Sequence, residues 1–455
     1  MKAETMQQVR VAGAKVLRFT GGLSLAALIV WVLLPAPAPA ALHKRIPVHV
    51  WHMWSGEWLP VIDNVADEFN KSQDKYEVIP LEIPPGDGDQ KFLLSVSGGN
   101  PPDVMVQWTQ AIDTYAQSGI LQPMDTMMTP AEKHHFLYED YPAVRRNGWY
   151  KGHLYGMTVG FDVYACYYRP DEWKKAGLDP DKFPATFEEL TEDSHKLDQY
   201  DSAGNLTRLG FFPQAFTNYA PAFGGGFYNQ DTNQILLDTP QNEAALNYVV
   251  GDYKRIGIDK LLRFKAGMQS DDAASWPFIQ GQLAVTVDGE WRVLQMAQYA
   301  PKMDYSVAPL PPAAGGKPLS SFSVADFLTV PAGAKEKDGA WEFIKFWSGL
   351  DHPEPAAKFQ AGFCWLPTSP QMAAAPDYQA FLKKYPQFKT FVKLAASPNV
   401  ETIPPVPYQM FLNDRILVAG DLAERGAKSP DQALRDLEIE AAREEKRRKG
   451  LAYDQ

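Results

Sequence analysis

Cysteine and clustered histidine are scarce in this chain of 455 residues. The only cysteines are Cys166 and Cys364, no CxxC pair occurs, and the eight histidines are scattered apart from one adjacent pair at 134 and 135. The sequence therefore gives no support for a structural zinc site, and we expect neither a metal nor a cofactor. The two thiols could pair in an oxidising compartment, but we expect them to be buried and free.

An excess of positive charge is also missing. The formal net charge is −11, which argues against nucleic acid or an anionic membrane surface as a partner. Apolar residues make up 45% and charged residues 22% of the chain, as in an ordinary soluble globular protein. Twelve Trp and twenty Tyr are a generous supply, and they favour a surface or a site lined by aromatic rings.

The chain has one long apolar run, and it lies near the N-terminus. It extends from Phe19 to Leu34, follows four basic residues and precedes an alternation of Pro and Ala that ends at Ala40. These features, with a cleavage site at 38–40, are typical of a secretory signal peptide. We expect residues 1–40 to be a signal peptide that directs export to the periplasm, with an uncleaved anchor as the alternative. No cysteine follows the cleavage site, so a lipid-anchored form is not expected.

Strands and helices alternate along the following residues. The patterns predict strands at 46–54, 76–83 and 103–108, with a helix from about Pro60 between the first two. Thr186 and Glu189 predict a capping box at the start of a later helix. Such alternation with short loops is the signature of a doubly wound α/β layer.

The stretch 286–291 reads as the end of a short apolar strand, a turn at Gly289 and a helix that opens at Glu290. It would bring the carboxylates of Asp288 and Glu290 and the indole of Trp291 to a helix N-terminus. Carboxylates bond sugar hydroxyls, and an aromatic ring packs on the C–H face of a sugar. A packing corner whose Trp fills the core is the alternative, and this stretch alone does not decide between them.

Several motifs in one order resemble the extracellular solute-binding proteins of ABC importers, the family that includes maltose- and glycerol-phosphate-binding proteins. The motifs lie at 51–56, 97–104, 119–125, 154–156 with 167–169, 184–190 and 281–291. The resemblance implies an α/β fold of periplasmic binding protein type II, with two doubly wound lobes joined by a hinge and a ligand cleft between them. It places the N-terminal lobe at 45–158 and 323–378, and the C-terminal lobe at 159–322 and 379–455.

The resemblance also implies ligand-binding residues. They add to the candidates that lie at the predicted ends of strands. Because ligands sit outside the carboxyl ends of strands in open α/β sheets, Trp54, Trp108 and Asp288 are expected at the cleft. The full set of expected ligand-binding residues is Trp54, Ser55, Glu57, Asp87, Asp89, Trp108, Thr109, Asp162, Tyr219, Asp288, Glu290, Trp291, Trp365 and Tyr408.

Some acidic and Trp residues could instead have a purely structural role. Asp162 interrupts an apolar strand and needs a partner if it is buried, which either sugar hydroxyls or a structural hydrogen bond would supply. We expect Asp326 to be a structural carboxyl of a hinge strand, and Trp51, Trp341 and Trp347 to belong to the core.

The resemblance implies a periplasmic, monomeric substrate-binding component of an ABC importer. It would capture a mono- or oligosaccharide and deliver it to the inner-membrane permease subunits, without breaking a bond. Glycerol-3-phosphate or its esters, a polyol or a polyamine are alternative ligands of the same scaffold. A secreted glycoside hydrolase is the remote alternative, because Asp288 and Glu290 could form the pair of carboxylates that such an enzyme needs.

Overall fold

The computed structural model describes residues 45–84, 87–213, 215–229, 232–268, 273–350 and 352–453. The expected signal peptide, 1–40, lies outside the described residues. The chain divides into Met1–Pro47 and Val48–Gln455, and the fold below is that of the second unit. Within the described residues, no helix combines the length and the apolar character needed to cross a bilayer.

The strands vary from two residues to twelve. They are β1 (Ile46–His52), β2 (Tyr76–Glu82), β3 (Val104–Trp108), β4 (Trp149–Tyr150), β5 (His153–Leu154), β6 (Met157–Tyr168), β7 (Gln199–Tyr200), β8 (Leu206–Phe211), β9 (Tyr228–Asn229), β10 (Gln234–Ile235), β11 (Leu283–Gly289), β12 (Ser306–Ala308), β13 (Ser321–Thr329) and β14 (Val400–Thr402).

The helices lie between these strands and after the last of them. They are α1 (Leu59–Ser72), α2 (Gly88–Ser97), α3 (Thr109–Gln117), α4 (Pro130–Tyr138), α5 (Pro142–Arg146), α6 (Pro170–Lys175), α7 (Phe187–Leu197), α8 (Pro240–Val249), α9 (Gly251–Ile256), α10 (Ile258–Gly267), α11 (Arg292–Tyr299), α12 (Lys337–Ser348), α13 (Pro353–Phe363), α14 (Pro370–Ala374), α15 (Pro376–Lys384), α16 (Phe388–Ala395), α17 (Gln409–Glu424) and α18 (Pro430–Tyr453). Short 3₁₀ turns occupy Gly56–Trp58, Phe216–Asn218, Ala220–Phe223 and Ala273–Ser275.

One sheet of ten strands runs through the fold in the order β2-β1-β3-β13-β6-β11-β8-β7, with β12 on β6 and β14 on β13. The twelve-residue β6 joins its two halves. Residues 157–163 of β6 pair with β13, whereas residues 164–168 pair with β11 and β12. Two groups of strands therefore meet where β6 changes partners, between Val163 and Tyr164. The lobe boundaries read from the sequence stay a prediction.

The local patterns behind these elements are those expected from the sequence. Strand β6 is buried along almost its whole length, which explains its nearly continuous apolar sequence. Thr186 accepts a hydrogen bond from the backbone N–H of Glu189, as predicted for the start of α7. The Glu189 carboxylate reaches back to the N–H of Ala185 rather than to that of Thr186. A complete capping box opens α4, where Thr129 and Glu132 exchange both bonds.

The predictions for buried residues hold with one correction. Cys166 and Cys364 are buried and unpaired, and Trp341 and Trp347 lie in the core, as expected. The prediction for Trp51 is wrong. In β1 the buried positions are those of Val48, Val50 and His52, so the two-residue alternation turns Trp51 to the other, half-exposed face.

Candidate functional site

A cavity of about 1060 Å³ lies beside the point where β6 changes partners, and we call it the cleft cavity. Both halves of the sheet contribute to its wall, through Trp108 at the end of β3 and Asp288 near the end of β11. Asp162 in β6 and Val324 in β13 face each other across the ladder, and both line the cavity. Of the residues expected at the site, the structure brings Trp108, Asp162 and Asp288 together here. A volume of this size holds a ligand of several sugar rings.

Two carboxyl groups share a hydrogen bond at the floor of the cleft cavity. Burial raises the pKa of Asp162 to about 6, the hydrogen bond with Glu290 opposes this, and the charge of Asp288 adds to it. Burial, and then the charge of Asp162, raise the pKa of Glu290 well above its usual range. Glu290 has no exposed surface, and its Oε2 accepts from the N–H of Val163 at 3.3 Å. Glu290 does not line the cavity and is linked to it through Asp162; its expected contact with the ligand stays a prediction.

A third buried carboxyl, that of Asp326 in β13, lies opposite Trp108 in the ladder between β13 and β3. Burial and the charge of Asp162 raise its pKa well above the usual range, whereas hydrogen bonds with the Trp108 and Trp54 side chains lower it. The indole N–H is a donor only, so both rings donate to this carboxyl. Asp326 thus fixes the orientation of Trp108, in keeping with the structural role expected for it.

Asp288 begins a chain of polar contacts that ends at Glu57. Arg292 Nε donates to Asp288 Oδ2 at 2.8 Å, and Arg292 Nη1 donates to Gln295 Oε1 at 2.7 Å. Gln295 Nε2 then donates to Glu57 Oε1 at 3.0 Å. Sequence reasoning missed Arg292, although its position just after the turn that follows Asp288 was a usable signal. The guanidinium also lies 4.6 Å from the centre of the Trp276 ring, a second aromatic residue of the cavity wall.

The turn at 289–291 has the form read from the sequence, with a strand that ends at Gly289 and a helix that begins at Arg292. The Trp291 ring packs directly on Gly289, where an added Cβ would lie 1.7 Å from the ring. Trp291 also meets the Tyr164 ring edge-on, with centroids 5.8 Å apart. Tyr164 lines the cleft cavity and was not anticipated. Trp291 is half-buried behind it, so its placement supports Tyr164 more directly than a ligand.

Several expected contacts are placed in the core instead. Trp54 packs with Trp365 at 5.0 Å between ring centroids, and both are buried. Tyr219 is fully buried among the rings of the second half of the sheet, and Tyr408 is buried in the same cluster. Thr109 is buried and bonds the backbone of the neighbouring β13. Trp54 follows a strand end and is nevertheless covered, because neighbouring elements pack over it.

The remaining three expected residues do not line the cleft cavity. Asp89 accepts hydrogen bonds from Tyr115 at 2.9 Å and from Gln107 at 3.3 Å, which ties α2 to its neighbours. Ser55 and Asp87 are exposed, and neither side chain caps the helical turn that follows it. Within the described residues, no group of three His, Cys, Asp or Glu side chains is arranged to hold a metal ion.

Comparison with known proteins decides the family. Residues 64–390 match the family described as bacterial extracellular solute-binding protein. The chain belongs to this family. Among its curated relatives, the maltotriose-binding protein of Pyrococcus abyssi is 24% identical over 72% of this chain and 68% of the relative. The sn-glycerol-3-phosphate-binding periplasmic protein UgpB of Yersinia enterocolitica is 25% identical over 91% of this chain and 95% of the relative.

Solved structures give the same answer for the fold of this solute-binding protein. The mannobiose-bound structure of CpMnBP1 superposes with a TM-score of 0.75 at 26% identity, covering 88% of this chain and all of that one. The sugar-binding protein MalE of Xanthomonas citri superposes with a TM-score of 0.71 at 18% identity, covering 90% of this chain and all of that one. The expected fold class, α/β of periplasmic binding protein type II with two lobes, is confirmed. Its relatives are binding proteins.

Proposed function

We propose that this solute-binding protein captures a mono- or oligosaccharide in the cleft cavity and delivers it to the permease of an ABC importer from the periplasm. The observation that carries the proposal is the wall of the cavity, where Trp108, Tyr164 and Trp276 accompany Asp162 and Asp288. Aromatic faces pack on sugar rings, and carboxylates accept hydrogen bonds from sugar hydroxyls. The maltotriose-binding relative and the mannobiose-bound neighbour support the same class of ligand.

The position of the cavity supports capture by closure. Its wall comes from both halves of the sheet, which are joined through β6, where this strand changes partners from β13 to β11. A ligand that contacts both halves favours the closed arrangement by the difference between its affinities for the closed and open forms. Closure then excludes water from the hydrogen bonds to the carboxylates.

A hydrolytic reaction has little support in this cavity. A glycoside hydrolase needs two accessible carboxyl groups about 5–10 Å apart on either side of the bond. Glu290 has no exposed surface and is hydrogen-bonded to Asp162, while Asp288 is held by Arg292 at 2.8 Å. Neither member of the pair considered from the sequence is free to act as a catalytic acid, so we propose binding without chemistry.

The UgpB relatives favour glycerol-3-phosphate as a second ligand class. A phosphate needs available cations or N–H donors. Among the described residues, the two cations that line the cavity are already engaged, Arg292 with Asp288 at 2.8 Å and Lys265 with Glu424 at 2.7 Å. Neutral polyols and polyamines meet no such obstacle. We therefore rank a neutral or cationic ligand above an anion.

A thermal-shift screen followed by titration calorimetry tests the proposal. The probes are mannobiose, maltotriose, sn-glycerol-3-phosphate, glycerol and spermidine. A ligand that binds only the folded protein at about 100 times its Kd stabilises it by about 2.7 kcal/mol, which is readily seen as a higher Tm. We expect at least one sugar to raise Tm and glycerol-3-phosphate not to do so. Binding of the phosphate ester without any sugar would refute sugar capture.

A further inference from the structure

Three interacting carboxyl groups at the cleft cavity lack a countercharge among the described residues: Asp162, which lines the cavity, and the buried Glu290 and Asp326. Burial raises the pKa of all three; the charge of Asp162 adds to the rise at Glu290 and at Asp326, and the charge of Asp288 adds to the rise at Asp162. No Lys or Arg of the described chain contributes to any of the three shifts. Among the described residues, no group other than the Asp162 carboxyl is placed to form a hydrogen bond with Glu290 Oε1.

The cations nearest to these carboxyls do not compensate for them. Arg292 is bonded to Asp288, and Lys265 is bonded to Glu424, so each positive charge in the cavity wall is cancelled locally. Besides Asp288, Glu290 and Asp326, the titratable Tyr164 interacts with Asp162, and its pKa is raised by burial and then by Asp162. No cation of the described cavity wall is left to compensate these carboxyl groups.

We propose that the ligand is an amino sugar, whose ammonium group binds against Asp162 while its ring lies beside Trp108. The proposal rests on the proposed function of sugar capture and narrows its ligand class. An ammonium group would supply the missing countercharge in a site where burial makes an unpaired carboxylate costly. On binding, a proton shared by the carboxyls leaves for the solvent, and the ammonium group keeps its own protons.

Burial raises the pKa of Asp162 to about 6 and that of Glu290 well above its usual range. The cluster therefore holds its protons more tightly than free carboxyl groups do when the ligand is absent. A bound cation favours the ionised cluster, so its affinity falls as the pH is lowered and the carboxyls regain protons. A neutral sugar has no such reason to release a proton on binding.

Titration calorimetry on the full chain compares a β-1,4-linked glucosamine disaccharide, its neutral N-acetylated form, mannobiose and spermidine. We expect the amine to bind at least about tenfold more tightly than either neutral sugar. A change of one unit in the pKa of a carboxyl group on binding corresponds to a factor of ten in the affinity of the bound cation. Runs in two buffers of different ionisation enthalpy should reveal proton release for the amine alone.

The outcomes separate the two proposals. A neutral sugar that binds as tightly as the amine, without proton release, overturns the amino-sugar proposal and leaves sugar capture intact. Spermidine that binds as tightly as the amino disaccharide also overturns it, because the ring would then contribute nothing. No binding of any sugar refutes the proposed function itself.

Asp162→Asn tests the assignment of the site. It keeps the size of the side chain and removes its charge, so the preference for the amine should disappear. Asp113→Asn is the matched control, because Asp113 is another buried carboxyl without a cation partner. It lines a separate cavity of about 200 Å³. A preference retained in Asp162→Asn, or lost equally in Asp113→Asn, overturns the assignment. If Asp162→Asn does not fold, proton release by the unmodified protein decides.

Discussion

Trp108 has two roles in the structure, and two substitutions separate them. The side chain lines the cleft cavity, and its indole donates a hydrogen bond to the buried carboxyl of Asp326. Trp108→Ala removes both the aromatic face and the donor. Trp108→Phe keeps an aromatic face of similar orientation and removes only the N–H group.

The expected magnitudes follow from these contacts. Trp108→Ala should cost about 1–3 kcal/mol of sugar-binding free energy, the range for truncation of a buried aromatic anchor. That is roughly a 5- to 150-fold increase in Kd. Trp108→Phe should cost less than about 1 kcal/mol in binding because a ring remains. Both should lower the free energy of unfolding by about 1–3 kcal/mol, because the buried carboxyl of Asp326 loses one of its two indole donors.

Titration calorimetry gives the two affinities, and urea unfolding gives the two stabilities. Trp51→Ala is the matched control, because Trp51 is a half-exposed ring of β1 that does not line the cavity. Unchanged sugar affinity in Trp108→Ala would refute the ligand contact. Unchanged stability in Trp108→Phe would refute a contribution from the bond between the indole and Asp326.

Three further predictions concern the surroundings of the cavity. Asp326 has a pKa well above its usual range. Its stabilising contribution is therefore present at acidic pH and is lost as the pH rises through the folded-state pKa. Asp326→Asn should raise Tm at about pH 7, and this gain should shrink as the pH is lowered. Gly289→Ala should lower the free energy of unfolding by about 1–3 kcal/mol, because a Cβ would lie 1.7 Å from the Trp291 ring. Adding Trp291→Ala should restore part of this loss. If the stability losses of the two substitutions simply add, the clash is contradicted. Cys166 and Cys364 are buried and unpaired, and burial raises the pKa of both thiols. Both should therefore react with a thiol reagent only after unfolding. Fast reaction of the native protein, or a disulfide, would contradict this.

The alternation of strands and helices could be predicted because each element carries its own periodicity. The end of β3 at Trp108 and the end of β11 at Gly289 were predicted to within a residue from local patterns alone. Strand ends in an α/β fold converge on one edge of a sheet, so Trp108 and Asp288 were expected together, and the structure places both at the cleft cavity.

Burial at those strand ends could not be predicted, because it depends on elements distant in the chain. Trp54 follows β1 just as Trp108 ends β3, yet Trp54 is covered by Trp347 of α12 and by Trp365 beyond α13. The distance along the chain between Trp54 and these rings is about 300 residues. No local pattern reports such a contact. Trp51 shows the smaller error, since a shift of one position in the alternation moves a side chain to the other face.

The two acidic residues inside the apolar hinge strands carry the clearest sequence signal for the site. Asp162 interrupts β6 and Asp326 interrupts β13, and burial raises the pKa of both. A buried acid costs folding free energy unless it is paired, so a chain selected for stability alone would place apolar residues there. The structural role expected for Asp326 did not anticipate its link to Asp162, whose charge raises its pKa. Both belong to one network at the point where β6 changes partners, and we expect this network to set the charge of the ligand.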